Sequence, residues 1–269
     1  MKVDGLHHVT AITADIDVNL EFYGRLLGLR LVWQGVNADD PEMRHIAYGD
    51  ERGSPGSIVT FFDMPGVMRG RPGPGMVHRL LFRVAGEETL DFWERRLARA
   101  GVPSDRLADR LAFSDPEGLG LDLVIDDGED EPLIADAPDV DQQVAIRGMH
   151  AVRAYSADPV RSAPVFGEEL GMEAEGDRRW LAWGERRHGL VVYDAAPADQ
   201  GIMGAGTMHH IALRSARVSG RLAVARGRGR ASADARSGSQ DVQVRVLPRA
   251  ERRSAGSCHR SAGVRVRAP

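Results

Sequence analysis

Cysteine is almost absent: Cys258 is the one thiol in 269 residues. That excludes an internal disulfide framework and fits a reducing cytoplasm. It also excludes a cysteine-cluster zinc site, so any metal would have to be held by histidine and carboxylate. No apolar run approaches the ~18 residues of a membrane span. The opening Met1-Lys2-Val3-Asp4 lacks the charged start and apolar core of a signal peptide. Aromatics are scarce at 6%, yet 42% hydrophobic residues suffice for packed cores in one large or two ordinary domains.

A scarcity confined to one end is more telling. From Ser215 to Pro269 there is no Phe, Tyr, Trp, Ile or Lys, and there are two Leu. The same stretch has thirteen Arg against three acids, a formal +10; with a whole-chain charge of −4, the remainder carries −14. Such a segment cannot bury enough apolar area to offset its ordering entropy, so disorder is expected. One explanation is an arginine-rich arm of the kind that meets nucleic acid. The other is a shifted reading of a GC-rich gene, and it is favoured because the change falls inside a repeating unit.

What is present is a recurring histidine pair. Gly5-Leu6-His7-His8-Val9-Thr10-Ala11-Ile12 reads as a half-buried strand, and a near-copy stands at Gly206-Thr207-Met208-His209-His210-Ile211-Ala212-Leu213. Neighbouring side chains on a strand face opposite ways, so each pair sends one imidazole to each face. Two such strands side by side would aim one histidine each into a shared cleft. A lone buried histidine is more often a satisfied core residue; recurrence in one local context favours a ligand role.

The histidines also mark a repeat. His8, His78, His150 and His210 are spaced by 70, 72 and 60 residues, and Gly28, Gly101 and Gly171 follow the first three by 20, 23 and 21. Between the first markers the pattern predicts a strand, a helix over Asp15–Leu27 capped by Asp15 or Asp17, and three further strands. The order restarts at Met76 with a helix over Glu87–Ala100, and again at Ile146. After His210 no Leu-Gly stop appears, only Arg226-Gly227-Arg228-Gly229-Arg230. The reading is an α+β fold of four βαβββ modules, the last incomplete. Its expected parts are a two-module domain at 1–127, a linker at 128–145, a second domain at 146–214 and the tail at 215–269.

These features resemble the vicinal oxygen chelate superfamily of glyoxalases, bleomycin resistance proteins and extradiol dioxygenases. Leu6-His7-His8-Val9-Thr10, Val36-Asn37-Ala38-Asp39-Asp40-Pro41, Tyr48-Gly49-Asp50-Glu51-Arg52-Gly53-Ser54-Pro55-Gly56 and Gly206–Leu213 look most like its hydroquinone-type ring-cleaving dioxygenases, over roughly residues 3 to 214. The resemblance implies Fe(II), or Mn(II), held by two histidines and a carboxylate, with His8 and His210 matching the histidines. The matching glutamate would lie in the last strand of module four; its nearest counterpart here, Ala262–Arg267, has no carboxylate. His7, Thr10 and His209 match positions beside the metal that hydrogen-bond substrate or oxygen.

The implied partners are a small aromatic diol and O2, without nucleic acid or membrane, and a homo-oligomer is compatible with it. Three alternatives stand beside this one. A glyoxalase-like enzyme would use His8, His78 and Asp122; a metal-free member would only bind a small molecule; and the chain could be an inactive truncation product.

Overall fold

The computed structural model describes residues 2–36, 43–126, 128–184 and 187–215, and the backbone of a strand at 244–248. The first module is β1 (Val3–Thr13), α1 (Ile16–Asn19, continuing as a π-helix over Leu20–Leu26), β2 (Arg30–Val36), β3 (Arg44–Gly49) and β4 (Ile58–Asp63). The second is β5 (Val77–Val84), α2 (Glu87–Arg99), β6 (Ser104–Arg106), β7 (Arg110–Ser114) and β8 (Gly120–Ile125). In the third, β9 (Met149–Ser156) is followed by short 3-10 and π turns, then β10 (Glu173–Ala174), β11 (Arg179–Ala182) and β12 (Gly189–Ala195). β13 (Met208–Ser215) opens the fourth, and β14 (Val244–Pro248) follows it.

The expected first helix differs from an ordinary α-helix after one turn. Asp15 caps it as the sequence suggests, its carboxylate accepting from the backbone N–H groups of Asp17 and Val18. From Leu20 the turns widen, so that Leu27 N–H donates to the Phe22 carbonyl at 2.9 Å. Phe22 and Tyr23 are adjacent and both buried, which a regular α-turn accommodates less readily than this wider one. Module three repeats the device over Pro164–Glu169, where Phe166 is buried. The glycines read as helix stops all take left-handed φ: +68° at Gly28, +71° at Gly101 and +65° at Gly171.

Two sheets result. One runs β14-β13-β1-β4-β3-β2, the other β10-β11-β12-β9-β5-β8-β7-β6. Within each module the first strand lies parallel to the last: β1 to β4, β5 to β8, β9 to β12. Between modules the first strands pair antiparallel, β1 with β13 and β5 with β9. Hydrogen-bonded ladders therefore join the first module to the fourth and the second to the third. One continuous core, including Tyr23, Phe61, Leu80, Phe82, Trp93, Val152 and Ile211, lies beneath both.

β14 is a finding against expectation, since it falls in the stretch where disorder is predicted. It lies parallel to β13 with Ala212 beside Arg245, the place β4 and β8 hold in their modules. The remainder of the tail, including 262–267, lies outside the described residues.

Candidate metal centre

The β1–β13 ladder brings the two histidine pairs together. Thr10 is paired with His210 and His8 with Ala212, with irregularities in β1 at Leu6/His8 and Thr10/Ala11. The Nε2 atoms of His8 and His210 come within 3.3 Å. In each pair the Nδ1 atoms meet, at 3.0 Å between His7 and His8 and 2.9 Å between His209 and His210. That contact orients the ring and directs Nε2 of His8 and of His210 toward a common point. Thr10 Oγ1 stands 3.1 Å from His210 Nε2 and accepts from the Thr60 hydroxyl at 2.8 Å. Thr10, Thr60 and His210 are all buried. Burial, followed by the positive charge of Arg214, lowers the His7 pKa to about 4.

This geometry fits part of a metal site. Two imidazoles gripping one first-row ion at about 2.1 Å each have nitrogens about 3 Å apart when they lie cis to each other. The observed spacing and the buried hydroxyl beside it match that requirement. Among the described residues, no third His, Cys, Asp or Glu converges with the pair. The strand in the place of the module's last strand reads Val-Arg-Val-Leu-Pro, without a carboxylate.

The alternative set of His8, His78 and Asp122 is not assembled. His78 Nε2 bonds Asp194 at 2.8 Å, and its ring stacks on Tyr155 at 3.9 Å. Asp194 is also paired with Arg153, and Asp122 with Arg79 at 2.5 Å. The second sheet sets Arg79 beside Arg153, and these two arginines take the carboxylates of Asp122 and Asp194. Arginines there turn that face into a half-buried ion-pair network.

One cluster escaped the sequence reading. Ligand atoms of Asp126, His150 and His188 all lie within 4.8 Å of one another. His150 was visible as a repeat marker, but its carboxylate partner Asp126 lies at the end of the first domain, next to the expected linker, in no motif. The buried Arg83 guanidinium bonds Asp126 at 2.9 Å, pairs with Asp130, and donates to the Met149 and His188 carbonyls. The hydrogen bond from His150, joined by the Arg83 charge, holds the Asp126 carboxyl well below the usual range. The carboxylates already have a cation, so this group reads first as an ion-pair hub joining modules two and three.

Comparison with known proteins agrees with the architecture. Residues 5–123 match the Glyoxalase/Bleomycin resistance protein/Dioxygenase superfamily. MhqE of Bacillus subtilis, provisionally named a ring-cleaving dioxygenase, is 38% identical over 229 residues, covering 80% of this chain and 73% of that protein. A chlorohydroquinone/hydroquinone 1,2-dioxygenase of Sphingobium indicum is 30% identical over 160 residues, 56% of this chain and 49% of that one. A crystal structure of a provisionally named Bacillus subtilis dioxygenase superposes with a TM-score of 0.71 at 37% identity, covering 80% of this chain and 71% of that one. Module order, ladder pairing and sequence similarity agree: this chain belongs to the glyoxalase/bleomycin resistance/dioxygenase superfamily and resembles its ring-cleaving dioxygenases.

Proposed function

We propose that this chain carries the metal centre of a ring-cleaving dioxygenase for hydroquinone- or catechol-like aromatics, with His8 and His210 as ligands to Fe(II) or Mn(II). The observation that supports it most is the 3.3 Å convergence of His8 and His210 Nε2 beside a buried hydroxyl. An ion there would supply Lewis acidity, lowering the pKa of a phenolic hydroxyl so that the substrate binds as an anion, and would allow reaction with O2. The chain's own groups do the rest. Thr60 holds Thr10, whose hydroxyl stands beside the metal-facing Nε2 of His210. His7 and His209 fix the ring orientation of their neighbours; His209, as an imidazole beside the substrate, can take up a phenolic proton, while burial keeps His7 a neutral hydrogen-bonding ring.

Turnover is a separate matter from binding. A 2-His-1-carboxylate set needs its carboxylate, and the sequence of β14, in the place of the module's last strand, has none. We expect the chain to bind metal and diol but to turn over slowly. The test is metal analysis of the Fe(II)-loaded chain together with oxygen uptake on hydroquinone. Iron bound in a His8- and His210-dependent way supports the reading. A chain that binds no Fe(II) or Mn(II), yet still takes up an aromatic diol, would instead be a metal-free binding protein.

A further inference from the structure

The hub between modules two and three has a half-open side. Arg83, with 3% of its side chain exposed, holds Asp126 and Asp130 from the interior, while His150 and His188 keep 21% and 20% exposed. His150 Nδ1 is 3.2 Å from Asp126 Oδ2, and His188 Nδ1 is 2.8 Å from Asp130 Oδ2. The two imidazoles meet edge to face, with centroids 5.8 Å apart. Backbone groups aim the carboxylates: Gly128 N–H donates to Asp126 Oδ1 and His188 N–H to Asp130 Oδ2, each at 3.0 Å.

We propose that Asp126, Asp130, His150 and His188 bind Zn(II), which staples the end of module two to module three. The site belongs to other modules than His8 and His210 and does not depend on the function proposed above. Ligand atoms of Asp126, His150 and His188 already lie within 4.8 Å of one another. Around a tetrahedral ion with bonds of about 2.1 Å they would be about 3.4 Å apart, close to the present His150–Asp126 spacing, so small side-chain rotations close the set. Two imidazoles and two carboxylates suit Zn(II), which such sites bind more tightly than Fe(II). A neutral imidazole offers its Nδ1 lone pair once the ring proton sits on Nε2. Arg83 stays on the carboxylates as the outer partner that fixes them. Arg83 and Arg187 set two positive charges against the two carboxylates, so micromolar binding is expected rather than the tighter grip of a cage without cations.

Zn(II) is titrated into the full chain carrying His8→Ala and His210→Ala, which removes the other histidine pair, and followed by calorimetry and elemental analysis. One equivalent should bind and raise the urea midpoint. Adding His150→Gln or His188→Gln should abolish both effects. In the otherwise wild-type chain, His188→Gln should lower bound zinc by one equivalent, which covers combined variants that do not fold. Trp183 is 53% exposed with its ring 5.9 Å from His188, so Co(II) bound in place of Zn(II) should quench the emission that Trp183→Phe removes. A folded His8→Ala/His210→Ala chain that binds no zinc overturns the proposal. So does an equivalent that persists in both His150→Gln and His188→Gln, or bound Co(II) that leaves Trp183 emission unchanged.

Discussion

His8 and His210 are 202 residues apart in the chain, and their Nε2 atoms are 3.3 Å apart in the fold. The ladder between β1 and β13 creates that contact, and it separates the two candidate ligand sets experimentally. His8→Ala and His210→Ala should each abolish Fe(II) binding by elemental analysis. His78→Ala should leave it unchanged, because His78 is held by Asp194 and Tyr155 on the other sheet. Equal iron loss in His78→Ala would restore the alternative set.

Thr60 touches neither histidine, yet it should matter to both metal and stability. Its hydroxyl donates to Thr10, which contacts His210. Thr60→Val keeps the shape and removes that donor. We expect a loss of about 1 kcal/mol in unfolding free energy. Metal affinity should also fall, because Thr60 aims the Thr10 hydroxyl that stands at the metal-facing Nε2 of His210. Unchanged affinity in a competition titration would show that the Thr60–Thr10 pair only packs the sheet.

Arg83 should be among the costliest single losses. It is 3% exposed and neutralises Asp126 and Asp130 while bonding two carbonyls of module three. Arg83→Met leaves buried carboxylates without a cation, at a cost of about 3–5 kcal/mol. Adding Asp126→Asn and Asp130→Asn should recover much of this in urea titrations. No recovery would mean that the carbonyl contacts carry the stability.

Asp115 predicts a pH dependence of definite sign. Burial raises its pKa from 3.8 to about 6, even though it accepts from the Tyr23 hydroxyl at 3.0 Å and from the Leu119 and Glu117 N–H groups. Because the folded pKa lies above the unfolded one, the folded state binds the extra proton. Stability from this group is therefore present below pH ~4 and lost as pH rises through ~6, by about 3 kcal/mol. Asp115→Asn should flatten that portion of the stability curve. A curve of the same slope in both proteins would place the effect elsewhere.

Much of this was legible because the modules are local. The strand periods, the Asp15 cap and the glycine stops all follow from a dozen adjacent residues, and the structure repeats the strands and the stops in three modules. His8 and His210 could be matched because both sit in the same short context. What the sequence did not disclose was long-range. Nothing local says that module one pairs with four rather than two, or that Arg79 and Arg153 fill the face where His78 and Asp122 were candidate ligands.

The pairing of β1 with β13 also orders events in time. β1 leaves the ribosome before the other described strands, and β4 can join it within about sixty residues. Its other neighbour does not exist until Met208–Ser215 has been made. Closing so long a loop is slow compared with forming a module. The half-site on β1 must therefore wait, exposed on one edge, through the synthesis of two complete modules before His210 arrives. Any centre built on both histidine pairs must await β13, and a ribosome-stalled product ending before it would hold His7 and His8 without His209 and His210.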